Sequence, residues 1–399
     1  LQSDALIELL PVRQVSGGYQ ANARLIMAGA LPVSLPTIGP TATLDGLSDA
    51  LASALAAPLR LNAETLHGAS PASTRANPEA LELYARGLRQ SATESPGGTA
   101  QACQSFKAAM TADPEFAGAH ARWAQCLLTQ YRFGVLPARS AFEYARTAAS
   151  MALARDADSA DARAVLADLH AEEHDWVRAE SEFHEALARD SSNVYARSRY
   201  AMLLAGRGRT AESVEQLTEA LRASPLSSTV KGYRAMSLHY AGRDEEALDM
   251  FQQLRGVDMS LESALVGQCR IFVVVGKFEE ALSTCRQLLT RRGGHDAFSE
   301  AQLAAALGRL DRHPESARQL ALLRGAYDAA PDNERPNLAF FLATAYAGLE
   351  QVDQVFPWLE VAARGGSSRL AYLRVDPRFA VARSDPRWAQ ILTTYESRP

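Results

Sequence analysis

Lysine is almost missing from this chain of 399 residues: only Lys107, Lys231 and Lys277 occur among 41 basic side chains. Arginine carries the positive charge instead, which reads first as genome composition and only second as a choice of bidentate donors over point charges. The formal net charge is -5, and that excludes the global basic field that gathers nucleic acid. No run of about 18 apolar residues occurs, so no stretch reads as a membrane-spanning helix. Leu1–Pro11 has neither a basic leader nor a long apolar core and does not read as a signal peptide. Its abrupt, strand-like start is expected of a piece of a longer chain. A phosphate-cradling glycine loop, a nucleophile elbow and a Cys-x-x-Cys pair are also missing. No cofactor and no catalytic residue is expected.

What is present is a repeat. Ala162-Arg-Ala-Val-Leu-Ala-Asp-Leu, Ala196-Arg-Ser-Arg-Tyr-Ala-Met-Leu-Leu and Val230-Lys-Gly-Tyr-Arg-Ala-Met-Ser-Leu recur every 34 residues. Each is followed about 15 residues later by a second amphipathic stretch, such as Arg178-Ala-Glu-Ser-Glu-Phe-His-Glu-Ala-Leu. Two helices of about a dozen residues and two tight turns fill that period. The first helix carries a small residue at the crossing: Ala124, Ala167, Ala201, Ala235, Cys269, Ala305 and Ala343. The second helix answers with Ala145, Ala179, Ser213, Ala247, Ala281 and Ala317. A bulky residue follows one turn later, at Phe106, Phe183, Leu217, Phe251 and Leu359. Small against small lets backbones approach, and the large side chains fill what remains. Gly208, Gly242 and Gly276 fall at the turns, and Pro114 and Pro225 stop helices between repeats.

These residues resemble the tetratricopeptide consensus over roughly 79–364, in about eight repeats. The first two are stretched by insertions at Ser91–Thr99 and Phe133–Ser140, and the seventh is the least regular. The resemblance implies a mainly α fold, a right-handed solenoid with an inner groove lined by first helices. Asp168, Glu172, Met202, Met236, His239, Tyr240, Arg270, Val274, Arg309, Phe340 and Thr344 point into that groove by register. Aromatic, Met and Arg side chains together suit an extended peptide. An acidic end at Asp168 and a basic end at Arg270 and Arg309 would orient it.

The last repeat and the residues after it are more specific: Phe341 to Glu360, then Tyr372-Leu-Arg-Val-Asp-Pro-Arg-Phe and Arg383-Ser-Asp-Pro-Arg-Trp. They look like the ending of a bacterial family that joins a TolB-like α/β segment to tetratricopeptide repeats. Such tails follow winged-helix domains in CadC-like membrane-anchored transcriptional regulators. They also follow class III adenylate cyclase domains and some kinase domains. Asn77-Pro-Glu-Ala-Leu-Glu-Leu-Tyr-Ala-Arg-Gly and the His174-Asp-Trp-Val-Arg-Ala-Glu segment fit as well, whereas Val355 departs from the family's Ala. Ala5–Val12 and Tyr19–Met27 read as strands with Gly17-Gly18 at a hairpin turn, and Leu44–Leu59 as a helix capped by Thr43. Residues 1–60 thus resemble part of the TolB-like segment, 61–78 form a linker, and 365–399 form a C-terminal cap.

Two sets of residues invite chemistry. His170-Ala-Glu-Glu-His174 matches the H-x-x-E-H pattern of some zinc peptidases. The repeat register accounts for both histidines, one at a large-residue position and one at a turn, and no metal site is expected. Cys103 with Cys126, and Cys269 with Cys285, lie symmetrically about turns, where antiparallel helices can bring Cα atoms within about 7 Å. The alternative is that all four are small buried hydrophobes. Disulfides would imply an oxidising compartment.

The expected function is a non-catalytic ligand- or protein-binding sensory module, on the periplasmic side of the inner membrane in a CadC-like regulator. The rivals are a cytoplasmic regulatory tail of a cyclase or kinase, a self-contained enzyme such as a metallopeptidase built around His170 and His174, and a stand-alone assembly scaffold. The expected partner is a protein or peptide in the groove, with a second copy of the chain as another candidate. No direct nucleic-acid contact is expected, and membrane attachment only through an upstream segment.

Overall fold

The computed structural model describes residues 5–9, 13–16, 18–21, 23–27, 33–34, 38–41, 77–133, 135–257 and 262–397. The chain divides into two compact units, Leu1–Ala162 and Arg163–Pro399.

In the first unit, β1 (Ala5–Leu9), β4 (Ala23–Met27) and β5 (Val33–Ser34) form one antiparallel sheet in the order β1-β4-β5. A second antiparallel sheet has β2 (Arg13–Val15), β3 (Gly18–Ala21) and β6 (Ile38–Thr41) in the order β2-β3-β6. Val15 pairs with Gly18, so Gly18 belongs to the strand and not, as expected, to the turn. The run expected to be a single strand, Ala5–Val12, is strand over Ala5–Leu9. The helix expected over Leu44–Leu59, its cap Thr43, and most of the 61–78 linker lie outside the described residues.

Paired helices follow. The first unit holds α1 (Pro78–Ser91), α2 (Pro96–Ala112), α3 (Ala117–Arg132) and α4 (Ala138–Arg155). The helix α5 (Ala160–Glu172) opens the third pair, with α6 (Trp176–Arg189). Then come α7 (Val194–Gly206) with α8 (Thr210–Ala223), α9 (Ser228–Tyr240) with α10 (Asp244–Val257), and α11 (Glu262–Val274) with α12 (Phe278–Arg291). The last two pairs are α13 (Ala297–Arg309) with α14 (His313–Ala329), and α15 (Arg335–Gly348) with α16 (Val352–Gly365). Linker residue Pro78 is already helical: Asn77 caps α1 by accepting from the Ala80 amide at 2.8 Å, and Pro78 needs no donor at the first helical position.

The crossings follow the small-residue code. Ala167, Ala201, Ala235, Cys269 and Ala343 are fully buried, as are Ala179, Ser213, Ala247 and Ala281 opposite them. Ser213 and Ser237 oxygens meet at 2.8 Å in one such crossing. Phe251 packs so closely on Gly267 that a Cβ there would lie 2.2 Å from the ring. One expectation fails: in α14 the buried small residue is Ser316, whose hydroxyl donates to the Ala304 carbonyl at 2.7 Å, and Ala317 is exposed. The cap explains the register. Arg209, Arg243 and Arg312 stand before second helices, and each clasps the glutamate three residues on (Glu212, Glu246, Glu315) through two nitrogens at 2.6–2.7 Å. Counting from Arg312, position 316 matches Ser213.

Residues 365–399 are not a simple end-cap. After Gly366, in the left-handed conformation, come two 3-10 turns (Ser368–Tyr372 and Pro377–Ala382) and a last helix, α17 (Arg387–Glu396). Within the second unit, this segment lies on the first helices of the repeats.

Candidate functional site

The C-terminal segment is built from a doubled unit, Asp376-Pro-Arg-Phe and Asp385-Pro-Arg-Trp. In each, the Arg two residues on reaches back to its Asp, at 2.9 Å from Nε. The first copy is buried: the Asp376 and Arg378 side chains are 2% and 3% exposed. Burial alone would raise the Asp376 carboxyl, but Arg378, with Arg270 and His239 beyond it, holds it well below the usual carboxylate range. Phe379 and Trp388 from the two copies pack 6.0 Å apart, between centroids.

The segment touches nearly every repeat of the second unit. Ser367 donates to Asn337 at 2.7 Å in α15, and the Phe379 ring meets Phe340 at 5.6 Å. Tyr372 stacks on Tyr240 of α9, centroids 5.3 Å apart and 13° from parallel. The Ala371 carbonyl approaches the end of α7 so closely that a Cβ on Gly206 would lie 2.7 Å from its oxygen. Farther on, Glu396 pairs with Arg207 at 3.0 Å and with Arg374 at 2.8 Å, while the Tyr395 hydroxyl meets His174 Nε2 at 3.1 Å.

This occupancy changes what the groove residues do. Asp168 is 1% exposed and accepts from the Tyr195 hydroxyl at 2.6 Å and from Arg199 Nε at 2.9 Å. Glu172 stands 3.7 Å from the same guanidinium. Burial alone would lower the Arg199 pKa; Asp168 outweighs this and raises it well above its ordinary value. The expected acidic end is therefore neutralised within the fold. Tyr240 accepts from Arg270 at 2.9 Å. His239 is fully buried, with Nδ1 2.5 Å from Asp244.

Several of the expected contacts are not available to a visitor. Met202 and Phe340 are buried, Phe340 beneath Arg378 and Phe379, and Met236 packs into the core around Phe251. Thr344 is 2% exposed and spends its hydroxyl on the Phe341 carbonyl of its own helix. Val274 is half-buried at the end of α11. Arg309 is not part of the basic end: it pairs with Glu350 and lies 5.8 Å over Phe278. Position explains this, since Arg309 closes its helix and its side chain reaches the neighbouring turns.

Arg199, Tyr195, Tyr372, Arg369, Asp376 and Arg378 also stand on this face and are not among the expected groove residues; the doubled Asp-Pro-Arg-aromatic unit is the sequence signal for Asp376 and Arg378 alone. The histidines of the zinc-like pattern serve the fold: His174 holds the turn at φ 62° and stacks on Trp176, and His170 Nδ1 lies 3.9 Å from Glu173. Among the described residues no cluster of three or more His, Cys, Asp or Glu side chains is arranged around a metal position. The structure joins Cys103 to Cys126 and Cys269 to Cys285, with Cα atoms 5.5 and 5.3 Å apart.

No family model matches the chain, and no curated protein matches it. Among solved structures, the chain is similar to pilF of Pseudomonas aeruginosa, at 22% identity over 53% of this chain and 93% of that one, TM-score 0.42. It is also similar to PilW, a widely conserved type IV pilus biogenesis factor, at 18% over 52% and 93%, TM-score 0.45. A tetratricopeptide repeat protein from Parabacteroides merdae is matched at 14% over 77% and 100%, TM-score 0.41. At these levels the fold rests on the chain's own helix pairs, their period and their small-residue crossings, and that fold is a helical-hairpin repeat of the tetratricopeptide type.

Proposed function

We propose that the chain is a non-catalytic protein-binding module whose first-helix face, in the second unit, recognises an extended segment and is held closed by one of its own. The carrying observation is the course of residues 367–396: two 3-10 turns and a short helix, bound by a tyrosine stack, an arginine–glutamate pair and a backbone approach to Gly206. A partner segment of similar chemistry, aromatic with paired charges, would compete for that face. The test uses the intact chain with a protease recognition sequence inserted at Gly366. After cleavage the released segment should stay bound, then exchange with a labelled synthetic peptide of the same sequence, and Tyr240→Ala should speed that exchange. A cleaved segment that leaves only when the repeats unfold would reject the reading.

The two disulfides support a finer proposal. The module would belong to a CadC-like membrane-anchored regulator, on the periplasmic side, with residues 1–60 as part of a TolB-like segment. Thiols found fully reduced in cells would favour a cytoplasmic tail of a cyclase or kinase instead.

A further inference from the structure

Three arginines of the second unit converge on three touching phenylalanine rings. Phe298 of α13 meets Phe341 of α15 at 6.2 Å between centroids, and Phe341 meets Phe340 at 6.0 Å. Arg270 lies 5.7 Å over Phe298, Arg369 4.4 Å over Phe341, and Arg378 5.6 Å over Phe340. The guanidinium groups come from α11 and from the two 3-10 turns, so three separate parts of the chain place like charges together.

The carboxylates nearby are already engaged. Asp376 is held by Arg378, and Asp296 by Arg292 at 2.6 Å and by the Ser299 hydroxyl at 2.6 Å. Among the described residues, neither Arg270 nor Arg369 has a carboxylate within ion-pair distance. Two buried nitrogens here also have no acceptor among the described residues: Nε of Arg270 and Nη1 of Arg378, the latter on a side chain 3% exposed. A buried donor without an acceptor costs about 1–3 kcal/mol, and like charges in low dielectric repel. Arg369 is exposed, which gives a solute a way in, while the protein packed about its guanidinium, with Arg270 and Arg378, lowers its pKa to about 10.

We propose that Arg270, Arg369 and Arg378, over the floor of Phe298, Phe341 and Phe340, bind a small oxyanion, a phosphate or a dicarboxylate. Forked guanidinium groups match both anions bidentately. A doubly charged anion would pair with Arg270 and Arg369, which Asp376 and Asp296 reach only through space, and give the orphaned nitrogens their acceptors, while the rings accept an apolar body beside it. Arg369 and Arg378 belong to residues 367–396, so the site exists only while that segment is in place; anion binding is read on the uncleaved chain and exchange on the cleaved one, so the two ideas fail separately.

Inorganic phosphate and succinate would each be titrated into the intact, disulfide-bonded chain by calorimetry, with ionic strength held constant by sodium chloride. Saturable binding of at least one of them is expected, with Arg369→Gln weakening it by about tenfold or more. Phosphate alone would assign a phosphoryl ligand, and succinate alone a carboxylate ligand. Absence of saturable binding by both anions, or affinity unchanged in Arg369→Gln and Arg270→Gln, would overturn the proposal.

Discussion

A single backbone position decides how each hairpin turns. In the six hairpins from α5–α6 to α15–α16 it is left-handed: Gly208 at φ 87°, Gly242 and Gly276 at 77°, His174 at 62°, Asp311 at 59° and Glu350 at 58°. Glycine takes that region freely, whereas a side chain costs about 1–2 kcal/mol there. Gly242→Ala should therefore destabilise by about 1 kcal/mol even though nothing crowds the site, and Gly232→Ala, mid-helix in open space, should stabilise by about 0.5–1 kcal/mol. Paired thermal melts of the two variants check this, and equal shifts would reject it. The glycines were legible in the sequence, and His174 was legible through its register. Asp311 and Glu350 were not, because nothing in a charged residue announces a positive φ. Adjacent small residues mislead in the same way. Ser316 and Ala317 compete for one crossing, and only the Arg312–Glu315 clasp tells which wins.

Helix pairs are where periodicity is most informative, because each hairpin is a local object whose contacts lie within one or two repeats. The disulfides belong to this scale. Cys269–Cys285 ties α11 to α12 within one hairpin, and Cys103–Cys126 ties α2 to α3 across adjacent ones. Symmetry about the turn brought each pair into register, but whether the sulfurs bond is a matter of distance that spacing leaves open. Each closes a short loop, of sequence separation 16 and 23, worth about 3 kcal/mol in the chain-entropy picture. Reduction should lower the stability of each hairpin by roughly that amount. Hydrogen exchange would read it as faster opening of α11–α12 and α2–α3, with α7–α8 unchanged. Uniform acceleration across all repeats would contradict it.

At the largest scale the second unit depends on contacts that no local pattern reveals. His174 and Tyr395 are 221 residues apart in sequence, and Arg207 and Glu396 are 189 apart. Repeat periodicity ends at Gly365 and says nothing of where the next thirty residues travel, which is why the first-helix face was expected to be open. The Asp376–Arg378 pair sets how acid acts on this arrangement. Because the folded carboxyl is depressed below its ordinary 3.8, its contribution is complete above that value and is lost as pH falls below it. Acid should therefore loosen residues 367–396, seen as a change in Trp388 fluorescence below about pH 4. Asp376→Asn should remove that part of the acid response and cost about 3–5 kcal/mol at neutral pH, because it strands a buried guanidinium. An identical acid profile in the variant would show that other carboxylates govern the transition.

The segment that covers the first helices is also the one made after them. A ribosome completes all of the repeats while Tyr240, Phe340 and Phe341 still lack Tyr372, Phe379 and Arg369 above them. Every newly made molecule thus passes through an interval with bare aromatic surface. During that interval it is most exposed to aggregation, and a competing segment from another chain meets no rival for the site.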